Sequence, residues 1–254
     1  MSTRPSRDIA DARELIRARL EPAVAEPLAA LIRPSLALAV IAADDAATSA
    51  AGESAFGGLP RLPADTDWPA CLGRPMHLLA QLDCAALAPL FDGDWPLPTD
   101  GHLLFFHDDD FAAPFSADRG DDGCRVLHVP ADAAVRRPAP GTGSLAARPW
   151  TAGPQPSLPT YMDDEAIRAV PGDGLVLFEL DEDFTARFPT PRQRLLGWCD
   201  DTNTPRPEGH RPLLQLEAEA GTAWGEVVNV SFWICEQDLL AGNFDRVRRS
   251  YDVA

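Results

Sequence analysis

The sequence predicts a mainly β protein of the α+β class, with an internally duplicated, roll-like β fold and a helical N-terminal segment. Two observations lead there. The first is a phrase that occurs twice. Ser54-Ala55-Phe56-Gly57-Gly58 leads to Leu79-Ala80-Gln81-Leu82-Asp83 and then Gly101-His102-Leu103-Leu104-Phe105-Phe106. Later, Leu195-Leu196-Gly197-Trp198 leads to Leu213-Leu214-Gln215-Leu216-Glu217 and then Val230-Ser231-Phe232-Trp233-Ile234. Each copy is a glycine turn, a Leu-Gln-Leu-acid strand and an aromatic strand. The second observation is the period of these strands. Leu78, Ala80 and Leu82 alternate with Leu79, Gln81 and Asp83, so one face carries Leu-Gln-acid, and Leu213, Gln215 and Glu217 repeat that order.

The elements follow in chain order as one domain over 1–254. Residues 1–34 form the helical segment: Ser6 is a cap, Ile9, Ala12, Ile16 and Leu20 share a face, and Pro22 stops the helix. A shorter helical piece covers Leu28 to Ile32. Residues 35–129 form a first β-rich half. It comprises a buried strand from Ser35, the glycine turn, the strand His77 to Asp83, a short helix from Cys84 to Phe91, and strands over 101–107 and 125–129. Residues 130–171 read as an irregular, proline-rich connection, with a short helix over 162–170. Residues 172–254 form the second β-rich half. It begins with a dense apolar strand, Leu175 to Leu180, and ends with a helical turn over Glu236 to Leu240 and a final strand through Tyr251.

Composition removes several functions. The net charge of −17 opposes a phosphate backbone or an anionic membrane as the main partner. All 22 basic residues are arginine; without lysine there is no Schiff base, P-loop lysine or lysine general base. The five cysteines are far apart and share no C-x-x-C spacing, as expected of free thiols. The N-terminus has no apolar signal core. The apolar stretch from Pro22 to Ala42 is broken by Glu26, Pro27, Arg33 and Pro34, so a cytoplasmic location is expected.

Catalytic patterns are few. His107 beside Asp108-Asp109-Asp110 suggests a metal, but His102 and His107 fall on opposite faces of a regular strand, so no metal site is expected and the acids read as a solvated turn. His77, His128 and His210 add no ligand spacing. No G-x-S-x-G motif is present, and Gly57-Gly58 lacks the pattern of a phosphate loop. The strongest enzymatic arrangement is Asp83 with Glu217. They hold equivalent places in the two copies and could meet at a common cleft as acid and base. The commoner fate of carboxylates at strand ends and turns is the alternative: each ends a strand in solvent or accepts backbone hydrogen bonds. Gln81 and Gln215 are candidate ligand contacts. Among Trp68, Trp95, Trp198, Trp224 and Trp233, the residues Trp68 and Trp198 flank the two copies as candidate ligand-binding aromatics; core anchoring is the alternative. Interleaved positive charge for nucleic-acid stacking is missing.

The run Ser54 to Pro60, Trp68-Pro69, Leu79 to Asp83 and Gly101 to Phe106, with Leu195-Leu196-Gly197 and Leu213 to Leu216, resembles the signature of the YwqG-like family, a bacterial family of unknown function. The resemblance covers roughly Ser35 to Tyr251. It implies a mainly β roll with an internal repeat and carries over no catalytic residues; Asp200 to Thr204 has no match in the pattern. The expected function is a binding or interaction module without cofactor, taking a small ligand or a protein with a basic surface, as an immunity-type partner of a basic effector would. A small-molecule hydrolase built on Asp83 and Glu217 is the alternative.

Overall fold

The computed structural model describes residues 7–108, 123–133, 136–138, 140, 144–160, 163, 168, 175–200, 206–219, 224 and 227–253. Two helices come first: α1 (Arg7–Arg19) and α2 (Pro22–Ala30), with Pro22 opening the second helix, where its missing N–H costs nothing. The strands are β1 (Arg33–Val40), β2 (Ala55–Phe56), β3 (Ala70–Cys71), β4 (Arg74–Pro75), β5 (His77–Asp83), β6 (His102–His107) and β7 (Cys124–Val129). They continue as β8 (Arg148–Ser157), β9 (Gln193–Leu196), β10 (His210–Glu217), β11 (Val227–Cys235) and β12 (Arg248–Val253). The remaining described α-helices are α3 (Cys84–Leu87), α4 (Leu175–Arg187) and α5 (Glu236–Ala241).

Ten strands form one antiparallel sheet in the order β12-β11-β10-β9-β1-β8-β2-β5-β6-β7. On one side of the central β1–β8 pair lie β2, β5, β6 and β7 in chain order; on the other lie β9 to β12. Ala55 faces Gln81 on the first side as Arg194 faces Gln215 on the second. Beyond β2, Gly57 and Gly58 take φ of 64° and 84°; at the end of β9, Leu196 and the following Gly197 take 63° and 78°. The later strand therefore forces a leucine into the left-handed region that glycine adopts freely. Gly197 has a further requirement: a Cβ there would stand 2.8 Å from the Cβ atoms of both Ser35 and Ser157.

The sheet curls until it nearly closes. Phe105 on β6 meets Phe232 on β11 edge-on, with ring centroids 5.1 Å apart, although six strands separate them in sheet order. The inner face holds the main core, with Leu36, Phe56, Leu82, Phe105, Trp150, Leu195, Leu216 and Phe232 all buried. At the seam the first residues of β7 and β12 meet. Arg249 donates to Gly123 O at 2.5 Å and the Cys124 thiol reaches Val247 O at 3.4 Å. Outside, α1, α2 and α4 pack Ile9, Ile16, Leu28, Leu180, Phe184 and Phe188 into a second cluster. The loop after β2 packs Leu62, Met76 and Trp68 against Leu104 and Phe106 in a third.

Several expectations change. The helical piece read over Leu28 to Ile32 is the end of α2, which starts at Pro22 and stops at Ala30. Leu175 to Leu180 is the first part of helix α4, not a strand; Leu180, Phe184 and Phe188 fall four residues apart and put one helical stripe against α1 and α2. The connection over 130–171 contains β8, a strand at the centre of the sheet, despite Pro149, Pro154 and Pro156. Two of these prolines are tolerated because β2 covers only Arg148 and Pro149 of β8, leaving the stretch around Pro154 and Pro156 without a strand on that side. Finally, Leu79 and Leu213 do not share the faces of Gln81 and Gln215. β5 carries a bulge between Leu78 and Ala80, and β10 carries one between Pro212 and Leu214. The extra residue resets the alternation, and both leucines join the main core. The cap read at Ser6, Asp109-Asp110, 201–204 and most of the helix read over 162–170 lie outside the described residues.

Candidate functional site

The two glutamines hold matching loops. Gln81 accepts a hydrogen bond from the Arg61 backbone N–H at 2.8 Å, and Gln215 accepts one from the Asp200 N–H at 2.7 Å. In each case the bonded N–H lies three residues beyond the second left-handed residue of the turn. Both glutamines are buried, and their side-chain N–H groups are also used: Gln81 toward Glu53 O at 3.5 Å, Gln215 toward the Asp200 carboxylate at 2.9 Å. A buried amide with its polar atoms engaged fixes backbone.

The two candidate carboxylates are engaged separately. Asp83 caps α3, accepting from Ala86 N at 3.1 Å, and also accepts from Glu53 N at 3.2 Å. Its own N–H donates to Ser54 Oγ at 2.9 Å. Glu217 accepts from the Arg192 guanidinium at 2.9 Å, and its N–H donates to Gln193 Oε1 at 2.9 Å. Four strands of the sheet lie between β5 and β10. The tryptophans are likewise engaged: Trp68 donates to Met76 O at 2.9 Å and meets Phe106 edge-on, while buried Trp198 donates to Leu31 O at 2.7 Å. Arg33 stacks over the Trp198 ring at 3.5 Å.

Around these residues the fold assembles three polar clusters. The first joins Glu53, Arg61, Asp83, His102 and Arg136. Arg61 grips the Glu53 carboxylate with two N–H groups, Nη2 lying 2.5 Å from Oε1 and Nε bonding Oε2. Arg136 Nη2 stands 3.3 Å from the same Oε2 and His102 Nε2 3.6 Å from it. The Arg61 bond holds the Glu53 carboxyl below its ordinary range. Burial lowers the imidazole of His102, which lies opposite Asp83 in the β5–β6 register. Neither ring nitrogen of His102 has a hydrogen-bond partner among the described residues.

The second cluster surrounds Gln215. Arg194, nearly buried, donates to Trp198 O and to the Asp200 carboxylate, both at 2.7 Å. Asp181 on α4 is raised by burial, with Asp200 nearby adding to the effect. The third lies at the seam. His107 bonds the Tyr251 hydroxyl, Arg249 pairs with Asp108, and the Cys71 thiol lies 3.7 Å from Asp108. Asp108 is therefore a buried ion-pair partner rather than part of a solvated turn. Burial pushes the His107 imidazole well down.

Glu53, Arg61, Arg136 and the seam were not singled out from the sequence. Glu53 and Arg61 flank the glycine signature directly, and that adjacency was the available signal. Arg249 and Tyr251 meet His107 and Asp108 only through closure of the sheet, which no local pattern reports. Among the described residues no three His, Cys, Asp or Glu side chains are grouped to hold a metal ion, and no described helix is long and apolar enough to cross a membrane. A family model described as a domain of unknown function (DUF1963) matches residues 54–253. No curated protein matches the chain.

Proposed function

The chain belongs to the DUF1963 family, a domain family of unknown function, and from that premise we propose that it is a non-catalytic binding module whose partner is a protein with a basic surface. One observation carries this reading: the side chains best suited to acid–base work, Asp83 and Glu217, are committed to local bonds of the fold on separate strands. The hydrolase alternative needs the two in one cleft with free lone pairs, and it loses support here. A net charge of −17 steers the chain toward cationic partners and speeds encounter more than it adds affinity. The immunity-type version, neutralisation of a basic effector, is the most specific form of the proposal.

Two finer points belong to the same reading. The matching glutamine bonds, paired bulges and paired left-handed turns support two related halves. The signature residues flanking those turns support a YwqG-like membership. Free cysteines suit the reducing cytoplasm.

The test is affinity capture at about 0.05 M and about 0.5 M salt, since surface attraction is screened beyond roughly 10 Å at about 0.1 M. Basic proteins retained at low salt and released at high salt are expected; retention indifferent to salt would refute electrostatic capture. In parallel, Asp83→Asn and Glu217→Gln are compared for melting and for turnover on a broad substrate panel. Unchanged melting with abolished turnover would establish the hydrolase instead.

A further inference from the structure

The Glu53 carboxylate sits where three cationic or proton-donating side chains converge. Arg61 comes from the loop after β2, His102 from the start of β6, and Arg136 from a segment bridged to Arg61. All three point at one oxygen, Glu53 Oε2. Two guanidiniums and an imidazole around a planar anion are the donor set that proteins use to recognise carboxylates.

Glu53 fills this set incompletely. His102 is 5% exposed, and its Nε2 remains 3.6 Å from the carboxylate, beyond hydrogen-bond range. An imidazole buried without a hydrogen-bond partner destabilises the fold until something bonds it. The Glu53 backbone is tied on both sides, its N–H donating to Asp83 and its carbonyl accepting from Gln81 at 3.5 Å, while Arg61 holds its carboxylate. Neither backbone tie involves the carboxylate, so rotation of the side chain away from Arg61 leaves both ties unbroken. Its side chain is 37% exposed and that of Arg136 49%, so the cluster opens to solvent on the Glu53–Arg136 side.

We propose that Arg61, Arg136 and His102 form a binding site for a small carboxylate, which Glu53 fills from within and yields to the ligand. An untethered carboxylate can approach His102 closely enough to bond it while keeping both guanidiniums. The burial of His102 selects a ligand of a few carbons over a folded protein surface.

The probe is acetate, with sodium chloride at equal ionic strength, inorganic phosphate and pentaglycine with a free C-terminus as comparison arms. Thermal melting and titration calorimetry are run on the unaltered protein, Glu53→Ala and Glu53→Gln. Acetate is expected to stabilise Glu53→Ala saturably and to bind it at least tenfold more tightly than the unaltered protein, because the internal competitor is gone. Adding Arg136→Ala should abolish the gain. Phosphate and pentaglycine should bind more weakly than acetate. A response that chloride reproduces, no response, or tighter binding of phosphate or pentaglycine would each overturn the proposal. If Glu53→Ala does not fold, Glu53→Gln answers the same question. Independently, the His102 ring nitrogen signals of the unaltered protein should move with acetate near saturation; unmoved signals would also overturn it.

Discussion

Asp83 accepts two backbone N–H groups at once, from Ala86 and from Glu53, and so joins a helix cap to the loop ahead of β2. Asp83→Ala should therefore cost about 1–2 kcal/mol, the usual size of a lost cap, measured by denaturant unfolding. Its position at the end of a Leu-Gln-Leu strand, and a backbone-accepting role for its carboxylate, were legible; which N–H groups it holds was not, because the donors come from residues on either side of the turn. His107 has a different consequence. Its imidazole is held low by burial, with Arg249 and His77 adding to the effect. Below about pH 6.5 the unfolded chain takes up a proton that the folded one refuses, so stability falls as pH drops. His102 acts in the same direction. Glu53, held low by Arg61, keeps its contribution until more acidic pH, and loses it only as the pH falls through its own lowered value. Melting temperature should thus decline from pH 7 to pH 5, and His107→Gln should flatten that decline whatever it does to the level. An unchanged slope would count against the assignment.

At the scale of elements, the β3–β4 hairpin turns through Leu72 and Gly73 with φ of 50° and 75°. Both values are positive, the pattern of a two-residue turn for which Asn-Gly is favoured. Leu72 is 79% exposed and gains no burial in return. Leu72→Asn should stabilise the protein by about 0.5–1 kcal/mol, seen as a rise of roughly 2 °C in melting. Leu196 is the opposite case: it is buried in the main core, which offsets its strained backbone. Elements that declare a local period were readable, such as β5, β6 and β10. Those whose evidence lies elsewhere were not. β8 hides behind prolines that only its one-sided pairing tolerates. α4 resembles a strand until Phe184 and Phe188 extend its stripe. The bulges that turn Leu79 and Leu213 inward leave no mark on the alternation they interrupt.

At the scale of the molecule, the acidic balance and the repeated phrase were both visible in the chain, whereas the polar clusters depend on long-range closure. The Glu53 cluster gathers side chains from well-separated segments, and the seam joins β6 to β12. The central pair holds a further implication. β1, which precedes the first run of strands, pairs with β9 of the second; β8, which precedes the second run, pairs with β2 of the first. Each run is thus completed by a strand from the other part of the chain. Neither part can finish its sheet during synthesis until the other has emerged, so the nucleus must bridge distant positions and folding should be slow for a chain of this size. Cutting the chain between β7 and β8 should leave two fragments that are each unstructured by circular dichroism and gain strand signal only when mixed. Independent folding of either fragment would show that the exchange is dispensable.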